Sequence, residues 1–334
     1  MKKFINDPAD LVDELLEGYA LAYPDAVTIE EPRIVLNRGL EGADRVAIVS
    51  IGGSGHEPCA CGYVGDGMLD AFAAGDIFVA PGADETFRAV SLADRGKGVL
   101  LVILNHAGDL ISGRATVERC AGCGIDVRMV VVQDDISTAP RTDSDNRRGL
   151  VGCVPIYKIA GAAAAQGMSL DEVAAIAQRL ADQMATLAVG VRGATHPVSG
   201  KLLAEFGEDD MEIGMGQHGE EGGGRMRLRS ADDTARIMMG SLLADLGITA
   251  GEKVLLMVNG MGSTTMMELL LVFRGCMRVL GERSVEAVAR KVGNVLTVQE
   301  AAGFQINLIR MDDELASLWN APSSAPFFTV RSGS

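Results

Sequence analysis

Short, near-continuous apolar runs separated by helical stretches constrain this chain more than any other feature. RIVLN, RVAIVS, DIFVA, GVLLVILN and IDVRMVVVQ follow one another up to residue 133, and DLISGRATVERCAG between the last two has helical spacing. Strands that are apolar on both sides need cover on both faces, and helices returning the chain between strands supply it. The expected fold class is α/β, with a mostly parallel or mixed sheet covered by helices.

The same grammar runs through the rest of the chain. ADLVDELLEGYALAYP opens it as an amphipathic helix, with Leu11, Leu15 and Tyr19 at helical spacing and Pro24 as a stop. TDSDNRR, Thr142 to Arg148, is a polar break. Two Ala-rich helices follow, GLVGCVPIYKIAGAAAAQG and SLDEVAAIAQRLADQMATL, the second with Ser169 and Glu172 at capping-box spacing. From Ala188 a second series begins: strands AVGVR and MEIGMG, helix ADDTARIMMGSLLADLG, strand KVLLMVNG, helix TMMELLLVFRGCMRVLG, and a final FQINLIRMDDELASLWNAP. Two α/β domains, residues 1–185 and 186–334, are the economical partition.

Composition narrows the partners. A net charge of -15 over 334 residues disfavours nucleic acid and anionic membrane surfaces, because neither gains from an acidic face. No apolar run approaches the ~20 residues of a membrane span, and no basic and apolar leader opens the chain, so a cytoplasmic protein is expected. Six scattered cysteines read as reduced thiols. Cys120 and Cys123 form a C-x-x-C flanked by Gly122 and Gly124, which reads as a helix end rather than a zinc site; no metal site is expected.

Ligands of open α/β sheets bind beyond the carboxyl ends of strands. AIVSIGGSGHEP runs from strand into Gly52, Gly53, Ser54 and Gly55, whose backbone can approach a ligand closely, with His56 at the lip. It is neither a phosphate-binding P-loop, since no Gly-Lys-Ser/Thr follows, nor a nucleophile elbow, nor a dinucleotide fingerprint. LLVILNHAGDL ends at Leu104 and then offers Asn105, His106, Gly108 and Asp109; Asp109 is either a helix N-cap or a functional carboxylate. MEIGMGQHGEEGGGR holds His218, with Glu220 close behind. MVNGMGSTTMME repeats the strand-glycine-helix form with weaker polar groups, and capping or a subunit contact accounts for it.

KKFINDPADLVDELLEGYALAYP, GGSGHEPCACGYVGDGML, GVLLVILNHAGD, RRGL, MEIGMGQHGE and DDELASLWNAP occur in that order across nearly the whole chain. In this the sequence resembles the dihydroxyacetone kinase substrate-binding (K) subunit family. The resemblance implies a homodimer of two-domain α/β chains that binds a short ketose, dihydroxyacetone or a four-carbon relative such as erythrulose. It implies that a separate helical L subunit brings ATP or ADP with magnesium. Beyond LWNAP the chain has no room for such a domain, so phosphorylation is expected only with that partner.

Carried over position by position, the resemblance makes His218 the residue that holds the ketone as a hemiaminal. It makes His56 the base for the attacking hydroxyl and Asp109 its hydrogen-bonding partner, with Gly53, Ser54 and Gly55 contacting substrate. The family usually has Lys-Asn-Tyr-Thr-Gly-Asp where this chain has LNHAGD. Leu104 therefore replaces a substrate-contacting lysine and His106 a tyrosine, while Ala80 stands where serine is usual. These three residues are expected to tune the choice of ketose. Glu221 in place of proline and His196 in ATHPVSGK are additions of open role. A ketose sensor or coregulator using the same covalent histidine is the alternative.

Overall fold

A computed structural model of the chain describes residues 3–331. They form two compact units. The first takes the described part of Met1–Val132 with Cys153–Arg179 and Ser317–Ser334, and the second takes Gln133–Gly152 and Leu180–Ala316.

The first unit begins with helix α1 (Leu11–Ala22) and strands β1 (Val27–Glu30), β2 (Ile34–Asn37), β3 (Ala47–Ser54) and β4 (Ala71–Ile77). Helix α2 (Ala83–Ala93), β5 (Val99–Leu104), α3 (Ala107–Cys123) and β6 (Val127–Val132) follow, then α4 (Cys153–Ala165) and α5 (Leu170–Asp182), whose last residues enter the second unit. The sheet order is β1-β2-β4-β3-β5-β6. β3 pairs in parallel with both β4 and β5, and β5 with β6, while β1 and β2 add an antiparallel edge. Ala47, Val49 and Ile51 of β3 pack with Ala89, Val90 and Ala93 of α2 and Cys120 of α3. Ser50, on the opposite face, hydrogen-bonds Tyr157 of α4 at 2.8 Å. The sheet is thus covered on both sides, as its apolar strands require.

The second unit holds β7 (Met184–Arg192), β8 (Asp210–Ile213), β9 (Gly224–Arg227), α6 (Ala231–Leu246), β10 (Lys253–Gly260), α7 (Met266–Glu282), β11 (Glu286–Gly293) and β12 (Ala302–Met311). Helix α8 (Asp313–Asn320) leads to a terminal hairpin in the first unit, β13 (Ser323–Ala325) and β14 (Phe328–Val330). The order is β11-β10-β12-β7-β8-β9, with only β10 and β11 parallel. Met238, Met239 and Leu242 of α6 and Leu269, Val272 and Cys276 of α7 close on Val254, Leu256 and Val258 of β10.

The two-unit division differs from a single boundary at residue 185. TDSDNRR belongs with the second unit because the arginines in and beside it are bound there. Arg141 Nη2 donates to Asp245 Oδ2 at 2.7 Å, and Arg147, 1% exposed, pairs with the same carboxylate. The tail returns to the first unit through the Ser324 amide on the Asp66 carbonyl and the Phe327 amide on the Gly62 carbonyl. Such long-range pairings leave no mark on local spacing.

Three local expectations also shift. The fourth strand is Ala71–Ile77, whereas the Phe78–Ala80 part of DIFVA is a turn, with Phe78 at φ 61°. Helix α5 stops at Asp182, so Met184–Leu187 belong to β7. In α1 the buried stripe is Val12, Leu16 and Tyr19, one residue on from Leu11 and Leu15. The Ser169–Glu172 capping box is present, and α3 ends at Cys123 on Gly124 in the left-handed region. Among the described residues no helix is long and apolar enough to cross a membrane.

Candidate active-site loops

In the first unit, three loops leave the carboxyl edge of neighbouring parallel strands: 55–58 after β3, 78–82 after β4 and 105–106 after β5. Their packing explains the glycines. A Cβ on Gly53 would stand 2.6 Å from the Val79 amide nitrogen, and one on Gly55, at φ +99°, would stand 2.7 Å from the Phe78 ring. GGSG therefore lies directly against the Phe78–Val79 turn. The Phe78 amide donates to the Ser54 carbonyl at 2.9 Å, and Ser54 Oγ donates to the Gly75 carbonyl at 2.8 Å. Ser54 is buried, so its hydroxyl holds the loop.

His56 is 8% exposed, its ring centroid 5.1 Å from that of Phe78. The next residue, Glu57, folds back so that the Gly55 amide donates to its Oε1 at 2.9 Å. Burial pushes the Glu57 carboxyl above its ordinary value, against the opposing pull of backbone hydrogen bonds. Glu57 is a residue that sequence reasoning missed, although its place in GGSGHEP was visible.

Asp109 is not the N-cap of α3. His106 occupies that position, and Asp109 is the third residue of the helix, buried at 7% exposure. A carboxylate in a first helical turn is favoured by the helix dipole. The His106 amide donates to the Leu104 carbonyl at 2.8 Å, so the chain turns tightly between β5 and α3. Leu104 and His106 are half-buried. A Cβ on Gly108 would lie 3.1 Å from that of Ala80, and Ser112 Oγ donates to the Pro81 carbonyl at 2.7 Å. The start of α3, carrying Asp109, thus abuts the Ala80 turn, which itself abuts GGSG. Gly53, Ser54, Gly55 and His56, Ala80, and Leu104, His106 and Asp109 share one edge of this unit.

His218 belongs to the second unit. It lies in the loop from Gly214 to Gly223 that joins the antiparallel pair β8 and β9, not in a strand-to-helix turn. Despite its glycines the loop is tightly built. The Gly214 amide donates to the Ala188 carbonyl at 2.7 Å, and the Gly216 amide to the Glu220 carbonyl at 2.8 Å. A Cβ on Gly222 would fall 1.6 Å from the Gly214 oxygen, so the two ends of the loop cross where only glycine fits.

At the turn, the His218 amide donates to Glu220 Oε2 at 2.8 Å, and His218 Nδ1 lies 3.4 Å from Glu220 Oε1. Burial pushes the Glu220 carboxyl up, but its hydrogen bond and charge interaction with His218 outweigh that and bring it down to about 2. The Glu220 side chain is 43% exposed, so water screens the pair and its effect is orientation more than stability. With the proton of a neutral imidazole on Nδ1, facing Glu220, the lone pair is left on Nε2.

Beneath the loop, Arg148 Nε donates to buried Asp135 Oδ2 at 2.8 Å, and its Nη2 donates to the Gly214 carbonyl at 2.8 Å. His196 acts locally, where its Nδ1 accepts from the amides of Val198 and Ser199 and so shapes a turn. Glu221 is exposed. In MVNGMGSTTMME, Thr265 and Glu268 form a reciprocal cap on α7. Among the described residues no three His, Cys, Asp or Glu side chains cluster as a metal site would need.

Comparison with known proteins gives this geometry a context. The Dak1 domain matches residues 17–327. The chain is 36% identical over 332 residues to the PTS-dependent dihydroxyacetone kinase 2, dihydroxyacetone-binding subunit DhaK of Listeria innocua, covering 99% of this chain and 100% of that one. It is 35% identical to the L-erythrulose kinase of Pectobacterium atrosepticum, covering 98% of this chain and 56% of that one. Among solved structures, the dihydroxyacetone kinase operon co-activator Dha-DhaQ superposes with a TM-score of 0.90 at 32% identity, covering 97% and 99% of the two chains. The dihydroxyacetone kinase from C. freundii, in complex with AMP-PNP and Mg2+, does so with 0.88 at 28% identity, covering 98% of this chain and 61% of that one.

Proposed function

Because the chain belongs to the Dak1 domain family, we propose that it is the substrate-binding subunit of a two-component short-chain ketose kinase. The observation that supports the chemistry is the His218–Glu220 contact, Nδ1 to Oε1 at 3.4 Å, which favours a proton on Nδ1 and makes Nε2 the nucleophile of this reading. Nε2 adds to the ketone carbon, forming the C–N bond. The carbonyl π pair moves to oxygen, which takes a proton from water, while Nδ1 gives up its proton past Glu220 to the hydroxide so formed, so a neutral hemiaminal results and water is regenerated. His56 then accepts the proton of the hydroxyl that attacks the phosphoryl group, and Asp109 hydrogen-bonds that hydroxyl. Gly53, Ser54 and Gly55 shape the edge that receives it.

A nucleotide-binding L-type subunit would present the phosphoryl group with magnesium, either on ADP recharged through a phosphoenolpyruvate-fed relay or with ATP as the donor. The C. freundii kinase crystallised with AMP-PNP and Mg2+ supports that donor. The substrate is dihydroxyacetone or a four-carbon ketose such as erythrulose. Matches to both a dihydroxyacetone-binding subunit and an L-erythrulose kinase support this range, with Ala80, Leu104 and His106 setting the preference. The chain acts in the cytoplasm as a homodimer; the exposed Met266, Met267, Leu270 and Leu271 on α7 offer an apolar face for pairing.

The test mixes the chain with a cognate L subunit, ATP and magnesium and assays several ketoses, alongside adduct mass under native conditions. His218→Ala should abolish the adduct, and His56→Ala should keep the adduct and lose about 10²–10⁴-fold in turnover. No turnover with any ketose, while a control K subunit works, would sink the kinase reading.

The likeness to an operon co-activator favours a second reading, a ketose-sensing coregulator. In that case the adduct forms on His218, no ketose is phosphorylated, and His56→Ala leaves the regulatory output unchanged.

A further inference from the structure

Arg148 comes from the polar break 142–148, far in sequence from the histidine loop, and it takes no part in the chemistry proposed for His218, His56 and Asp109. Its side chain is only 15% exposed and that of its partner Asp135 only 1%. Asp135 is saturated: Oδ2 accepts from Arg148 Nε at 2.8 Å, and Oδ1 accepts from the Ser137 amide at 2.9 Å and the Ser137 hydroxyl at 2.6 Å. Arg148 Nη2 donates to Ser137 Oγ at 3.1 Å and to the Gly214 carbonyl at 2.8 Å. A planar guanidinium held this way has a fixed direction, which a flexible ammonium would lack. Its remaining nitrogen, Nη1, points into the loop. The position a Cβ would take on Gly216 is 2.3 Å from Arg148 Nη1 and 2.3 Å from Glu220 Oε2. The guanidinium and the carboxylate that faces His218 therefore converge on the space beside Gly216 that a side chain would fill.

We propose that Arg148, aimed by Asp135, is a positioning residue for His218. It clamps the root of the loop at Gly214 and converges with Glu220 on the space beside Gly216, which holds that carboxylate on the Nδ1 side of the imidazole. The catalytic value of the arrangement rests on the covalent reading of His218. The positioning itself does not, and it can be read without any ketone.

The experiment uses the full chain labelled with 15N-histidine. In the wild type, His218 should be the Nδ1–H tautomer, opposite to the one free imidazole prefers. Arg148→Lys keeps the charge but cannot bond Asp135, Ser137 and Gly214 in one plane. The pair Asp135→Asn with Arg148→Gln keeps the polar shape without leaving a lone buried charge. Both should fold, judged by unchanged circular dichroism, yet shift His218 toward the Nε2–H tautomer and lower adduct occupancy about tenfold at subsaturating dihydroxyacetone. Wild-type tautomer and occupancy in both folded variants would overturn the proposal, as would a wild-type His218 that is not Nδ1–H. If the wild type forms no adduct with any ketose, the covalent reading falls, and the tautomer shift alone decides the role of Arg148.

Discussion

Single residues carry charge into places that water does not reach, and Asp134 is one of them. Its carboxylate is fully buried, accepting from the amides of Leu150 and Gly152 and from Thr186 Oγ1. Burial raises its pKa to about 6, against the pull of these hydrogen bonds. The folded state therefore binds this proton more tightly than the unfolded chain does. Between pH ~4 and ~6 this group alone makes stability fall as pH rises, by on the order of 3 kcal/mol in total. Asp134→Asn removes the titration, so wild-type stability relative to the variant, from urea unfolding, should decline across that window and be flat above pH 7. A difference that rises with pH would contradict the assignment.

At the same scale, the sequence singles out His56, Asp109 and His218 as candidates because each follows a strand end with glycines around it. Glu220 was legible too, at two residues from His218. Asp135 and Arg148 were not, because their link to the loop is a contact between segments about seventy residues apart. Asp109 as an N-cap was a fair local reading that failed because the helix is capped at His106, three residues earlier.

Elements follow local chemistry where that chemistry is self-contained. The Ser169–Glu172 and Thr265–Glu268 caps involve neighbours three residues apart, so spacing alone announces them. β4 is the counterexample. It runs through Ala73, Ala74 and Gly75, and the Val79–Pro81 turn packs onto Gly75, where an added Cβ would be 2.0 Å from the Val79 carbonyl oxygen. Small residues there reflect that close approach, and strand propensity cannot report it.

The β8–β9 connection gives the matching prediction. Gly222→Ala places a methyl on the Gly214 oxygen and should cost about 1–3 kcal/mol while weakening adduct formation. Gly224→Ala, at the start of β9 with open space around it, should change stability by no more than about 0.5 kcal/mol. Equal effects at the two sites, measured by thermal unfolding, would refute the crossing of the loop ends.

On the scale of the whole molecule, fold class was legible because strand and helix periods alternate throughout. The weave of two units was not, because it depends on Arg141 and Arg147 reaching Asp245 and on the tail returning to residues 62–66. The thiols offer a global check. All six cysteines are free, and only Cys123 is exposed. Cys59 and Cys153 have sulfurs 3.8 Å apart, yet their mutual hydrogen bond and burial hold Cys59 well above the ordinary thiol range. A thiol reagent should therefore label one cysteine in the native protein and six in denaturant. More than one fast-reacting site would mean that the buried cores open readily.

The crossing of Gly214 and Gly222 also bears on how this site can change over generations. Loop ends packed this closely leave no room for a side chain at Gly222, so that position is the least free to vary in the stretch from Gly214 to Gly223. Under the proposed function, diversification toward new ketones would fall instead to Ala80 and His106 in the first unit, where exchange of a residue does not require reopening that crossing.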